Sequence, residues 1–278
     1  MNKFYKNIEK ILKKLYNNID NLYDIILSWK WRKHTMEEIV NEMISHLKIK
    51  EKLIGILVYG SYAVNMQDEY SDIDILIVID DKNIEDCGRG IFYYNNKEIE
   101  YFIETESNIY KGLMNELDSI EPLNRNRFLT GKIIRDKDEK LKYITERAEQ
   151  MQFMPYIQLS EKEKILNSII FEKRMKSLKR KYNNHDLDTK LYYYDYLKDF
   201  IKFYYRLKCK PFLLEKFYRS LIDNDYRKIN FQYDIDEDIV KKGFIKLLNE
   251  INIEELESLL YYILKEWLPN GRNYRMYY

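Results

Sequence analysis

Residues 53–79 read LIGILVYGSYAVNMQDEYSDIDILIVI, and this stretch decides the fold. Leu53–Tyr59 and Ile73–Ile79 are apolar runs of strand length, which indicates two buried β-strands. Gly60-Ser61 directly follows the first run, and after ten further residues Asp72-Ile73-Asp74 opens the second. The stretch therefore predicts a Gly-Ser turn at the end of one strand and a carboxylate pair at the start of the next.

The carboxylate pair carries the chemistry. Asp72 and Asp74 are two residues apart, so on a strand both side chains project from one face while Ile73 and Ile75 point into the core. Asp-x-Asp alone is common on a half-buried strand, but here the apolar neighbours indicate a buried one, where unpaired carboxylates are costly. Two such groups are stable with a cation between them or with one proton bound. Oxygen ligands of this kind suit Mg²⁺, which commonly takes carboxylates together with substrate phosphates.

The Gly-Ser turn offers a complementary group. Gly60-Ser61 closes a strand and opens a short helix, so free backbone N–H groups and the Ser61 hydroxyl can hold a triphosphate. Lys210 and Lys216, near the start of a later helix, could also face an anion, although a solvated position is the expectation for both.

The rest of the chain divides into two parts. Strands are predicted at 90–94 and 97–104 around the turn-forming Asn95-Asn96, with a further strand at 132–135. Helices are predicted at 4–28, 35–47, 108–117 and 138–150, and after Pro155 only helices are predicted, at 160–182, 187–207, 213–223, 236–249 and 253–267. The sequence thus predicts an α+β fold: a small mixed β-sheet domain with an N-terminal helical extension over 1–154, followed by an all-α helical bundle over 155–278.

Composition and charge exclude several classes of protein. Lys plus Arg number 47 and Asp plus Glu 46, a net charge of +1, which argues against a nucleic-acid scaffold with its usual basic excess. The N-terminus lacks the apolar core of a signal peptide, and no apolar run reaches the roughly 18 residues of a membrane span. We therefore expect a cytoplasmic protein with no membrane partner. The presence of only three histidines argues against a Cys/His zinc site, and the two distant cysteines do not indicate a disulfide framework.

The motif resembles the signature of the polymerase-β-type nucleotidyltransferase superfamily. That signature is an apolar strand, Gly-Ser, a spacer of about ten residues and Asp-x-Asp or Asp-x-Glu, which Gly60, Ser61, Asp72 and Asp74 match. The family often has a second Gly where this chain has Asn65, and Asn is the next best residue for a positive φ. The resemblance implies a third carboxylate on a neighbouring strand. Glu98, Glu100 and Glu104 are the candidates, and we select Glu100 because it is central in its strand.

The layout of the whole chain is similar to the kanamycin-type aminoglycoside nucleotidyltransferases, over about residues 50–270. In that family a helical domain supplies a catalytic Glu and, four residues later, a Lys near the nucleotide phosphates. Glu172 and Lys176 fit this spacing, although an exposed i, i+4 ion pair would look the same in sequence. The resemblance further implies a homodimer whose cleft is partly built from both subunits.

The function implied is Mg²⁺-dependent transfer of a nucleoside monophosphate from an NTP, with ATP favoured, to a hydroxyl of a small molecule such as an aminoglycoside-like antibiotic. Two Mg²⁺ ions would be bound by Asp72, Asp74 and Glu100, while Gly60, Ser61 and Lys176 would contact the nucleotide. Either Glu172 or Glu100 would accept the proton. The alternatives are transfer to a protein or RNA acceptor, as in toxin–antitoxin or regulatory enzymes, and a non-catalytic nucleotide-binding module.

Overall fold

The computed structural model describes residues 36–95 and 97–267, apart from the side chains of Asn83 and Ile84. The helix predicted at 4–28 lies outside these residues. The described chain forms a mixed β-sheet flanked by helices, followed by a wholly helical part. The predicted α+β fold class is therefore confirmed.

Within the described residues, five strands form one sheet in the order β3-β4-β2-β1-β5. Strands β2 and β4 are parallel, and the other neighbouring pairs are antiparallel. The predicted strands all form, and Asn95 has the positive φ (48°) expected of the hairpin turn. The bounds are β1 Leu53–Tyr59, β2 Ile73–Ile79, β3 Gly88–Tyr94, β4 Lys97–Thr105 and β5 Lys132–Asp136.

Helices cover both faces of the sheet. Helix α1 (Met36–Leu47) packs on one face against the odd-numbered residues of β2, from Ile73 to Ile79. Three helices pack on the opposite face, which includes Leu76 and Val78. They are α3 Glu106–Ser119, α4 Leu123–Thr130 and α5 Lys140–Met151, and the short α2 (Gly60–Ala63) follows β1. Because both faces are covered, every residue of β2 except Asp74 is buried, as the apolar sequence predicts.

From residue 155 to 267 the chain contains no strand, as predicted. These residues, the helical half of the protein, pack around helix α7 (Thr189–Leu207), whose apolar face is largely aromatic. The helices of the helical half are α6 Glu161–Asn183, α7 Thr189–Leu207, α8 Leu214–Ile222, α9 Asn224–Ile229, α10 Asp238–Asn249 and α11 Ile253–Trp267. Two 3₁₀ helices, Lys50–Lys52 and Asp81–Asp86, lie in the half that contains the sheet. Helices α4 and α9 were not among the predicted elements.

Several contacts join the two halves. The N–H of Phe212 donates to the carbonyl of Ile120 (2.9 Å), and Asn126 Nδ2 donates to the carbonyl of Asn230 (3.0 Å). Ile120 is fully buried within the helical core, so the two halves share packed residues. The domain boundary between 154 and 155 stays a prediction. In the described part of the chain, every helix is too short or too polar to cross a bilayer.

The start of α6 gives a first test. Its capping box is the one predicted from sequence: Glu163 N–H donates to Ser160 Oγ (3.3 Å), and Ser160 N–H donates to Glu163 Oε2 (2.8 Å). Ser160→Ala should lower the free energy of unfolding by about 1 kcal/mol, because it leaves an N-terminal amide of the helix without its acceptor. Ser177→Ala, within the same helix, is the control and should cost nothing. Equal losses in urea denaturation would show that the cap adds no stability.

Candidate active site

Three carboxylates meet at the start of β2 and the middle of β4. Asp72 immediately precedes β2, and Asp74 is paired with Glu100 in the register of the two parallel strands. One carboxylate oxygen from each of the three lies within 4.8 Å of the others, and all three side chains are half-buried. The structure therefore brings together the three residues that the sequence analysis proposed as metal ligands, in an all-oxygen set that suits a hard divalent cation.

The electrostatics of this cluster favour a bound positive charge. Burial, together with the charges of Asp72 and Glu100, raises the pKa of Asp74 to about 6, although Arg127 and Lys216 act in the opposite direction. At neutral pH the protein must therefore hold Asp74 ionised in a place where its neighbours oppose the charge. A divalent cation among the three oxygens would remove that opposition.

The Gly-Ser turn is built around the same carboxylate. Gly60 has a φ of +69°, a backbone conformation that glycine adopts at little cost. A Cβ at this position would overlap the Oδ2 atom of Asp74. Asn65, where the family often has a second Gly, has a φ of +57°, so the backbone keeps the conformation that the resemblance implies. Glycine at position 60 thus allows β1 to end directly against the carboxylate cluster.

A cleft of about 460 Å³ opens beside Asp74 and Glu100, between the sheet and the helical half. One wall comes from β1, the Gly-Ser turn, β2 and β4, and the other comes from α4, α8 and α9. Its lining includes Tyr59, Gly60, Ser61, Asp74, Glu100, Phe102, Asn126, Arg127, Thr130, Glu215, Lys216, Arg219 and Tyr226. The sheet half therefore supplies the carboxylate cluster, and helices from both halves supply cations, with Glu215 of α8 as a further acidic residue of the lining.

Arg127 on α4 is a charged residue of the cleft that was not recognised in the sequence. Its guanidinium lies over the rings of Tyr59 (4.9 Å) and Phe102 (4.8 Å), and Nη1 donates to Asn124 Oδ1 (3.2 Å). The same atom is 3.5 Å from a carboxylate oxygen of Glu104. Helix α4 has a weak apolar pattern, which explains why neither the helix nor this arginine was recognised.

Lys216 on α8 is one of the two lysines that the sequence offers as candidates to face an anion. It is half-buried and lines the cleft, and its positive charge lowers the pKa of Asp74. Among the described residues, its ammonium has no ion-pair partner. Arg219, one turn further along the helix, lies over the ring of Tyr226 (4.3 Å). The helical half thus presents an available positive charge towards the carboxylate cluster.

Glu172 and Lys176 are placed elsewhere. Both lie on α6, which packs against α7 and α11. Glu172 is half-buried and Lys176 is exposed, and neither belongs to the lining of the cleft. The structure does not bring these two residues to the carboxylate cluster within one chain, and their roles stay predictions.

The close approach of Gly60 to Asp74 gives a second prediction. Gly60→Ala should raise the dissociation constant for Mn²⁺ about tenfold in calorimetric titration, because the new Cβ displaces a ligand carboxylate. Gly88→Ala is the matched control, since a Cβ there meets no atom within 4 Å. If Gly60→Ala bound Mn²⁺ as tightly as Gly88→Ala, Asp74 would not be a ligand.

Comparison with known proteins agrees with this geometry. The family model of the nucleotidyltransferase domain matches residues 36–172. No curated protein is significantly similar to the chain. Among solved structures, a nucleotidyltransferase-like protein from Exiguobacterium sibiricum 255-15 is similar at 16 % identity and a TM-score of 0.39, over 86 % of this chain and 81 % of that chain, a likeness too distant to carry an argument. The matched segment contains the sheet and all three carboxylates. Residues 36–172, about half of the chain, therefore match the nucleotidyltransferase domain, and this match supports an enzyme of nucleotidyl transfer.

Proposed function

We propose that the protein transfers a nucleoside monophosphate from an NTP, with ATP favoured, to a hydroxyl group of a small molecule. The observation that carries this proposal is the opposition of charges across one cleft. Asp72, Asp74 and Glu100 form a cluster at the sheet, and Arg127 and Lys216 lie on the helices that complete the cleft. A triphosphate with divalent cations is the ligand that complements both sets of charges at once.

The carboxylates are suited to hold Mg²⁺. Asp72 and Asp74 would be the ligands of two ions, with Glu100 completing the set, because an all-oxygen donor set of like charges is satisfied by hard cations. When bound, Mg²⁺ supplies charge neutralisation on the triphosphate and stabilises the pyrophosphate that leaves. The parallel register of β2 and β4 fixes the relative positions of Asp74 and Glu100 before any ligand binds.

The nucleotide phosphates would lie between the Gly-Ser turn and the cationic helices. Ser61 offers a hydroxyl group on the sheet side of the cleft, beside Gly60. Arg127 offers a planar set of donors, and Lys216 offers a point charge, which are the two usual ways in which proteins bind phosphate. Lys176, which the family resemblance implies for this role, is exposed and outside the cleft lining.

In the reaction, the acceptor hydroxyl oxygen forms a bond to the α-phosphorus, and the bond from that phosphorus to the bridging oxygen of the β-phosphate breaks. Pyrophosphate leaves, and the hydroxyl proton goes to a carboxylate. Glu100 lines the cleft and is one candidate for the base that accepts this proton. The alternative base is Glu172, which would have to come from the second subunit of the homodimer that the resemblance implies, because within one chain it does not line the cleft.

The acceptor is proposed to be a small molecule because of the size of the cleft. Its volume, about 460 Å³, falls in the range of small-molecule sites. An aminoglycoside-like polycation would bring hydroxyl groups and would be attracted by the acidic residues of the sheet side. This choice rests on the kanamycin-type resemblance and on charge complementarity.

The experiment that tests the proposed function is incubation with Mg²⁺, each α-labelled NTP and panels of aminoglycosides, lincosamides, tRNA and cell protein. Transfer of label to a small molecule is expected, and Asp74→Asn should reduce it by at least about a thousandfold, because it removes a charge that holds the metal. Asp225→Asn, at an exposed aspartate of α9, is the control. Label on tRNA or protein alone would replace the small-molecule acceptor, and turnover by Asp74→Asn within tenfold of wild type would remove the metal assignment.

The position of the phosphate-binding lysine gives a separate prediction. Lys216→Ala should raise the dissociation constant for Mg²⁺-ATP about tenfold, because it removes an unpaired positive charge from the cleft. Lys176→Ala, at an exposed lysine of α6, should leave that constant within twofold of wild type. Calorimetry on both variants decides between them. The reverse result would favour the assignment taken from the kanamycin-type family and would place Lys216 outside the nucleotide site.

A further inference from the structure

A buried carboxylate lies outside the cleft, beneath the helix that carries Arg127. Glu116 on α3 is only 5 % exposed, although glutamate is among the residues that are rarely buried without a partner. Burial raises the pKa of Glu116 to about 7, while hydrogen bonds from two backbone amides act to lower it. A charged group in such a place needs a structural or functional reason.

The partners of Glu116 are the first amides of α4. The N–H of Asn124 donates to Oε1, and the N–H of Arg125 donates to Oε2 (3.2 Å). Pro122, the residue that precedes α4, forms no side-chain cap. The N–H of Leu123 is satisfied by the carbonyl of Glu121 (2.9 Å). Glu116 therefore accepts from the two N-terminal amides of α4 that would otherwise lack a partner, and it does so from a different helix.

Arg127 lies on the same helix, one turn after the end that Glu116 caps. Asn124, whose amide is bound by Glu116, accepts from Arg127 Nη1 through its side-chain oxygen (3.2 Å). Asn124 also fits closely against α3, because a Cβ on Gly112 would meet its side-chain nitrogen at 2.5 Å. A continuous set of contacts thus runs from Glu116 through Asn124 to the guanidinium that lies over Tyr59 and Phe102 in the cleft.

We infer that Glu116 is a positioning residue for nucleotide binding: it fixes the N-terminus of α4 and thereby holds Arg127 at the phosphate side of the cleft. The inference rests on the proposed function for the identity of the ligand. The position of Arg127 does not depend on the proposed function.

The experiment uses the full chain and tripolyphosphate with Mg²⁺ as a probe common to every NTP. Glu116→Gln keeps the shape of the side chain but removes its charge, and it should raise the dissociation constant for the probe about tenfold, the effect of one charge-assisted hydrogen bond. Glu116→Ala, which leaves both amides without an acceptor, should raise it at least as much. Glu121→Gln is the matched control, because its side chain pairs with Lys202 and not with α4.

A double-mutant cycle with Arg127→Gln separates positioning from general stability. If Glu116 acts through Arg127, adding Glu116→Gln to Arg127→Gln should change the dissociation constant less than twofold. Independent, multiplying effects would overturn the inference. So would binding within twofold of wild type for both Glu116 variants, whatever their melting temperatures.

Crystal structures of the wild type and of Glu116→Gln provide a readout that needs no ligand. Arg127 should leave its position over Tyr59 and Phe102 in the variant. If the wild-type protein failed to bind tripolyphosphate with Mg²⁺, the proposed function would be wrong, and the position of Arg127 would still decide the inference. An unmoved Arg127 would overturn it.

Discussion

Three carboxylates are held close together by the register of two parallel strands, and the site depends on this constraint. Asp74 on β2 and Glu100 on β4 are paired in the register of the two strands, and Asp72 lies two residues before Asp74. One carboxylate oxygen from each of the three residues lies within 4.8 Å of the others. Apolar packing on both faces of the sheet fixes the strands, so the backbone positions of the three residues cannot shift apart to relieve the repulsion. The free energy of packing is thus used to keep like charges at a distance that a divalent cation can span.

Other side chains of the cleft carry positive charges that balance those of the carboxylates. Arg127 reaches it from α4, against the sheet, and Lys216 reaches it from α8, in the helical half. The two halves are joined by contacts such as that between Asn126 and Asn230 (3.0 Å), so the cations are fixed relative to the carboxylates. The helical half is therefore part of the site as well as a covering for the sheet. Glu116 extends the same arrangement one layer deeper, beneath α4.

The sequence was most informative where local patterns were strong. The apolar runs predicted strands β1 and β2, and the spacing from Gly-Ser to Asp-x-Asp predicted where the carboxylate pair lies. On β4, the alternation of side chains between the two faces of a strand left Glu100 as one of three candidates for the third carboxylate. Arg127 could not be predicted, because α4 has a weak apolar pattern and its position depends on tertiary contacts with α3. The position of Lys216 could not be predicted for a related reason: which groups a lysine at a helix start faces depends on what packs opposite that helix. Glu172 and Lys176 show the converse limit, since correct i, i+4 spacing does not determine which surface a helix turns towards the cleft.

The titration of Asp74 shows whether the three carboxylates form a metal site. Its side-chain carboxyl carbon can be followed by ¹³C NMR through pH, with Asp74→Asn to assign the signal. In EDTA the inflection should lie near pH 6, because burial and the neighbouring carboxylates oppose ionisation. With Mg²⁺ and tripolyphosphate in excess it should fall below about 4, because the cation stabilises the charged form. An inflection near the ordinary value of about 3.9 in EDTA, or the same inflection with and without Mg²⁺, would contradict a metal site formed by these carboxylates.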